Sequence, residues 1–119
     1  MAEELIHYLI KAAGYGSNLL LNVGPMPNGK IQPEHQESLA KIGEWLIING
    51  ETIYETKQGV IAPSEKMAST QKGNALYLHV MQNESVLFIP EFKQTIKSIH
   101  FYNSKNKATG ELELQIRAD

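Results

Sequence analysis

Cysteine is absent from the 119 residues, which excludes disulfides and thiolate metal sites and is neutral on redox compartment. Positive charge is not in excess: 11 Lys and Arg stand against 13 Asp and Glu, for a formal net charge of -2. Nothing in that balance offers to neutralise phosphates, so nucleic acid is not an expected partner. No apolar run approaches the roughly 20 residues of a membrane helix, so a membrane is not expected either. The four histidines, His7, His35, His79 and His100, sit on separate elements without His-x-His or His-x-x-x-His spacing. No metal or other cofactor is expected from them. Phosphate-loop, dinucleotide and Gly-x-Ser-x-Gly patterns are missing as well. What remains is ordinary globular composition, 42% hydrophobic and 20% charged, which argues against disorder and for one modest core.

The chain is organised around Asn18-Leu19-Leu20-Leu21-Asn22-Val23-Gly24-Pro25. A short apolar run bounded by turn signals predicts a strand buried on both faces, as in a parallel sheet. Met26 to Lys30 reads as a tight turn. Helical patterns flank the run, Ala2 to Ala13 before it and Pro33 to Ile48 after it. In the first, Leu5, Ile6, Leu9, Ile10, Ala12 and Ala13 form an apolar face, and Gly14 and Gly16 suit its end. In the second, Pro33 fits the first helical position, and Glu34 and Glu37 complement the positive end of the helix dipole. Leu39, Ile42, Trp45 and Leu46 are expected to pack inward, with Trp45, the single tryptophan, a core anchor before a sugar platform. Gly43 predicts close approach of another backbone, and Gly50 a left-handed helix cap.

After Gly50 the periodicity changes. Thr52 to Tyr54 suggests a short strand, and Lys57 to Thr70 carries too many polar residues and breaks for a regular element. Four strands are predicted beyond, Ala75 to Met81, Val86 to Ile89, Ile96 to Tyr102 and Leu112 to Ile116, with clear alternation in the last two. The expected domain boundary lies near Gly50 to Gly59.

Four motifs carry a family resemblance: Asn18 to Pro25, Asn28-Gly29-Lys30-Ile31, Ile42-Gly43-Glu44-Trp45-Leu46, and Asn49-Gly50-Glu51-Thr52-Ile53-Tyr54. In that order and spacing the chain resembles the α-L-fucosidases of glycoside hydrolase family 29, from about Ala2 until the likeness weakens after Tyr77 to Val80. The resemblance implies an α+β chain: a helix–strand–helix remnant of a (β/α)8 barrel over residues 1–50, then an antiparallel, incomplete β-sandwich over 51–119. It implies a parent enzyme that removes terminal α-L-fucosyl groups from fucosylated glycans by a retaining mechanism and is secreted, periplasmic or lysosomal. Met1-Ala2-Glu3-Glu4 lacks the pattern of a signal peptide, which is expected far upstream of this segment.

Retaining glycosidases use two carboxyl groups about 5 to 5.5 Å apart, placed at the ends of different barrel strands. The one barrel-type strand here ends Asn22-Val23-Gly24-Pro25, with no acid. No catalytic residue is therefore assigned, and the chain alone is expected to be inactive. Asn22 is the one residue placed at the catalytic face, at most orienting a group that touches substrate; satisfying buried backbone is the plainer role. Glu34 and Glu37 are read as helix-start acids and not as a catalytic pair. A second reading is a non-catalytic β-sandwich that binds carbohydrate or serves structure, with Tyr77, Phe88, Phe92, Phe101 and Tyr102 as candidate contacts. A bare, unpaired run at Asn18 to Val23 would favour the first reading, and an exposed aromatic row the second. With its barrel neighbours missing, that run or its flanking helices predict self-association.

Overall fold

The computed structural model of the chain describes residues 2–82 together with Ile89, Ile96, Ser98, Ile99 and Tyr102. The predicted strands Val86 to Ile89, Ile96 to Tyr102 and Leu112 to Ile116 fall outside the described residues apart from those single positions.

Helix α1 spans Ala2–Gly14 and helix α2 spans Pro33–Asn49, each within a residue or two of its expected range. The end of α1 shows why Gly16 is a glycine. Its φ is +71°, and the amides of Gly16 and Ser17 donate back to the carbonyls of Ala13 and Ala12 at 3.0 and 2.8 Å. That pair of bonds satisfies carbonyls the helix leaves free. Helix α2 opens on Pro33, and the Gln36 side chain donates to the Ile31 carbonyl at 2.7 Å. Glu37 pairs with Lys41 one turn on, at 3.3 Å.

Three strands follow: β1 (Lys57–Gln58), β2 (Met67–Lys72) and β3 (Ala75–Val80), an antiparallel sheet in the order β1-β2-β3. Lys72 pairs with Ala75 across the two-residue turn Gly73-Asn74, where Gly73 takes φ +57°. The fold is thus α+β, two helices and a small antiparallel sheet, with α1 against both α2 and β2. The core sits between α1 and β2. Ile10, Ile61, Met67 and Ala68 are the fully buried apolar residues among those described. A Cβ on Gly14 would lie 3.2 Å from the Ala68 side chain and 3.4 Å from the Ser69 carbonyl.

Several expectations are corrected. Lys57 to Thr70 is not irregular: it holds β1 and most of β2, where Met67, Ala68, Ser69 and Thr70 are all buried. A strand covered on both faces by small and polar residues shows no alternation. Thr52 to Tyr54 is not a strand; Gly50–Thr52 forms a 3-10 turn continuing α2. Gly50 takes right-handed angles (φ -56°, ψ -31°), not the left-handed cap. Its lack of a side chain serves space, since a Cβ would stand 2.7 Å from the Tyr54 ring. Among the described residues nothing comes within 4 Å of a Cβ on Gly43, so no backbone approaches there. Helix α2 buries no residue fully; Leu39 is exposed, and Ile42, Trp45 and Leu46 are half-buried.

Asn18 to Val23 forms no strand ladder. The Met26 amide donates to the Lys30 carbonyl, and the Gly29 amide to the Met26 carbonyl, both at 2.8 Å, with Gly29 at φ +82°. This is a type I turn closed by a left-handed glycine, so the tight turn read at Met26 to Lys30 is present. The run leading into it lies open: Leu19, Leu20 and Leu21 are 39%, 84% and 38% exposed. It does not join the β1-β2-β3 sheet.

Candidate functional site

Asn22 lies in this open segment, exposed, with no assigned secondary structure around it. The carboxylates Glu34 and Glu37 are exposed in the first turns of α2, and Glu37 is engaged by Lys41. Among the described residues no three His, Asp or Glu side chains converge as a metal would require.

Polar chemistry gathers instead where the 3-10 turn meets the sheet. Thr52 and Thr70 are 4% and 0% exposed. The Thr70 hydroxyl donates to the Thr52 carbonyl at 2.6 Å, tying the end of α2 to β2. His79 Nε2 lies 3.2 Å from the same Thr70 oxygen. A hydroxyl has one proton, and Thr52 receives it, so Thr70 accepts from His79 Nε2–H. That fixes the neutral tautomer, with Nδ1 bare. His79 and Thr70 meet because β2 pairs antiparallel with β3: His79 is opposite Ala68, and Thr70 is its diagonal neighbour. Burial pushes the His79 pKa below its ordinary value, against a smaller opposing contribution from a hydrogen bond to the Thr52 carbonyl.

His79 also forms part of a cleft of about 460 Å³ bordered by both helices and β3. Ile6, His7 and Ile10 come from α1, Trp45 and Lys41 from α2, and Val80 from β3. Two of the scattered histidines therefore share one wall-lined space, which their separation in sequence concealed. Trp45 borders this cleft, half-buried, and so is not a fully buried anchor.

On the sheet, Tyr77 and Tyr102 pack edge to face, ring centroids 5.7 Å apart and planes at 79°. The Tyr102 hydroxyl donates to Glu51 at 2.9 Å. Burial and the Glu51 carboxylate raise the pKa of both phenols. Two of the five aromatic candidates are thus engaged with one another and with the turn after α2. Phe88, Phe92 and Phe101 lie outside the described residues.

The closeness of Thr52, Thr70 and His79 was not readable beforehand. Thr70 belongs to the strand hidden by its own burial, and the only available signal was the Gly73-Asn74 turn, a hairpin pair.

Residues 1–51 match the family model of α-L-fucosidase. The tissue α-L-fucosidase of Homo sapiens is 41% identical over 87 residues, 68% of this chain and 19% of that protein. The α-L-fucosidase of Branchiostoma floridae is 34% identical over 87 residues, 73% of this chain and 18% of that protein. Among solved structures, α-L-fucosidase isoenzyme 1 from Paenibacillus thiaminolyticus superposes with a TM-score of 0.66 at 30% identity, covering 71% of this chain and 20% of that one. Thermotoga maritima α-fucosidase gives 0.60 at 34% identity, covering 65% and 19%. The chain spans about a fifth of the length of the relatives it matches.

Proposed function

Because this chain is homologous to the α-L-fucosidases over about two-thirds of its length, we propose that it is a C-terminal segment of a family 29 enzyme, ending its catalytic (β/α)8 barrel and opening its β-sandwich. Residues 1–50 are the barrel part and 51–119 the sandwich part. The parent hydrolyses terminal α-L-fucosyl linkages of glycans with two carboxyl groups, a nucleophile and an acid/base, carried by barrel strands outside this chain. Its own role is structural: α1, the Asn18 to Val23 run and α2 close the barrel, and the sheet braces them. Asn22 would stand at the mouth of that barrel, orienting a neighbouring group.

The observation that carries this reading is the bare run itself. Leu19, Leu20 and Leu21 stand uncovered between two helices. A barrel strand stripped of both neighbours has this character, because its side chains and its backbone groups were meant for partners on either side. The carbohydrate-binding reading has less support, since Tyr77 and Tyr102 are engaged with each other and Glu51 and form no open row.

The test is hydrolysis of a chromogenic α-L-fucoside by the purified chain. Loss of both carboxylates forfeits most of a rate enhancement of at least about 10⁶-fold, so no turnover above a heat-inactivated control is expected. Turnover that survives repurification and is lost on mutating one carboxylate of this chain would overturn the proposal.

A further inference from the structure

We infer that Asn28-Gly29 is a self-modifying site, where the asparagine converts through a cyclic imide to aspartyl and isoaspartyl forms, and that the fold protects Asn49-Gly50 from the same reaction. These are the two places in the chain where glycine follows asparagine. The reaction favours glycine there, because without a Cβ its amide nitrogen can approach the preceding carboxamide carbon. That nitrogen gives its proton to hydroxide and attacks Cγ. The new C–N bond forms, the Cγ–Nδ2 bond breaks, and the side-chain nitrogen leaves as ammonia with a proton from water. Water then opens the imide. Cleavage at Cγ gives an aspartyl residue, and cleavage at the main-chain carbonyl gives an isoaspartyl residue whose backbone runs through the former side chain. In sum, water enters, ammonia leaves, and a neutral amide becomes a carboxylate, with nothing oxidised or reduced.

Asn28 and Gly29 are exposed in the Met26 to Lys30 turn, and nothing lies within 4 Å of a Cβ on Gly29. The Lys30 amide donates to Asn28 Oδ1 at 3.0 Å. That bond folds the carboxamide back over the turn, and it puts a donor on the oxygen that becomes negative as the nitrogen adds. The attacking amide has one bond to give up, to the Met26 carbonyl at 2.8 Å. Asn49-Gly50 is held differently. Asn49 Nδ2 donates to the Trp45 carbonyl at 3.2 Å, which aims the carboxamide back along α2 and away from the Gly50 amide. The Gly50 amide donates to the Leu46 carbonyl, and the Gly50 carbonyl accepts from the Ile53 and Tyr54 amides at 2.9 and 2.7 Å. The Asn49 carbonyl accepts the Thr52 hydroxyl at 2.7 Å, and Gly50 is buried. Turning this peptide toward Cγ breaks several bonds of the helix end, and loss of two slows the reaction by roughly tenfold. The product at Asn28 also alters its surroundings. An isoaspartyl residue lengthens the backbone between Met26 and Gly29, whose bond closes the turn, and places a carboxylate between the Asn18 to Val23 run and α2.

The experiment ages the full chain in mildly alkaline heavy-oxygen water, folded in one arm and unfolded by guanidinium in the other. Peptides carrying each Asn-Gly pair are followed by mass spectrometry. Incorporated heavy oxygen separates conversion during ageing from conversion during digestion, and methylation by an isoaspartate-specific methyltransferase measures the isoaspartyl share. Unfolded, the two sites are expected to convert at similar rates, since the local sequence is then all that distinguishes them. Folded, Asn28 is expected to convert at the unfolded rate or faster, with an isoaspartyl product, and Asn49 to lag by roughly tenfold or more. Asn28 converting well below its unfolded rate, or Asn49 keeping pace with it in the folded chain, overturns the inference.

Discussion

Gly59 runs so close to β2 that a Cβ there would collide with Ser69 Oγ and stand 2.7 Å from the Ser69 carbonyl carbon. The contact is held from both sides. The Gly59 amide donates to the Ser69 carbonyl at 3.1 Å, and Ser69 Oγ accepts from the Ile61 amide and donates to its carbonyl at 3.0 and 2.7 Å. A methyl group would push against the backbone of fully buried Ser69, where overpacking costs about 1 to 3 kcal/mol. Gly43 is the opposite case, a helix-interior glycine with open space around it. Gly59→Ala is therefore expected to lower the denaturation midpoint, and Gly43→Ala to raise stability by up to about 1 kcal/mol. Denaturant melts of the two variants beside the wild type check both signs. The sequence predicts a close approach at Gly43, which has open space, and none at Gly59, where the approach occurs; Gly14 and Gly16 both read as the end of α1, and of the two Gly16 takes the left-handed angle. Whether a glycine serves a φ angle or a close approach depends on which side chain or backbone comes against it, Tyr54 one turn on for Gly50 and Ser69 in β2 for Gly59.

At the scale of elements, both helices were legible because their apolar positions recur at helical spacing and their ends carry Gly16, Pro33 and Asn49-Gly50. β3 was legible for its β-branched and aromatic content. β2 was not, because periodicity needs one wet face and the buried stretch Met67 to Thr70 has none. The Asn18 to Val23 run was read as a strand for sound reasons, yet a strand exists only with a partner, and none of the described elements provides one. That leaves an apolar ribbon with Leu20 84% exposed, the kind of edge that drives association. We propose that the chain self-associates through this run or the faces of the flanking helices. Light scattering over a concentration series is expected to show a mass that rises with concentration, and Leu20→Lys, which places a charge on the ribbon, to reduce the rise. A wild-type chain that stays monomeric at every concentration would contradict this.

At the scale of the whole molecule, the helices have more apolar surface than they have cover. Helix α2 buries no residue fully, while Ile47 and Ile48 are 81% and 42% exposed. Four fully buried apolar residues among those described make a small core for two helices and a sheet. Hydrophobic burial is the dominant favourable contribution to folding, so these faces are the surfaces that the proposed parent barrel would cover. The family resemblance is readable because four motifs keep their order and spacing. A chimera tests the central claim most directly: residues 2–82 replace the matching segment of Thermotoga maritima α-fucosidase, and hydrolysis of a chromogenic α-L-fucoside is measured beside the unaltered enzyme. The account predicts a soluble chimera that cleaves the substrate, with the run from Asn18 to Val23 taking its place among the other barrel strands. A folded, soluble chimera that does not cleave it would contradict the account.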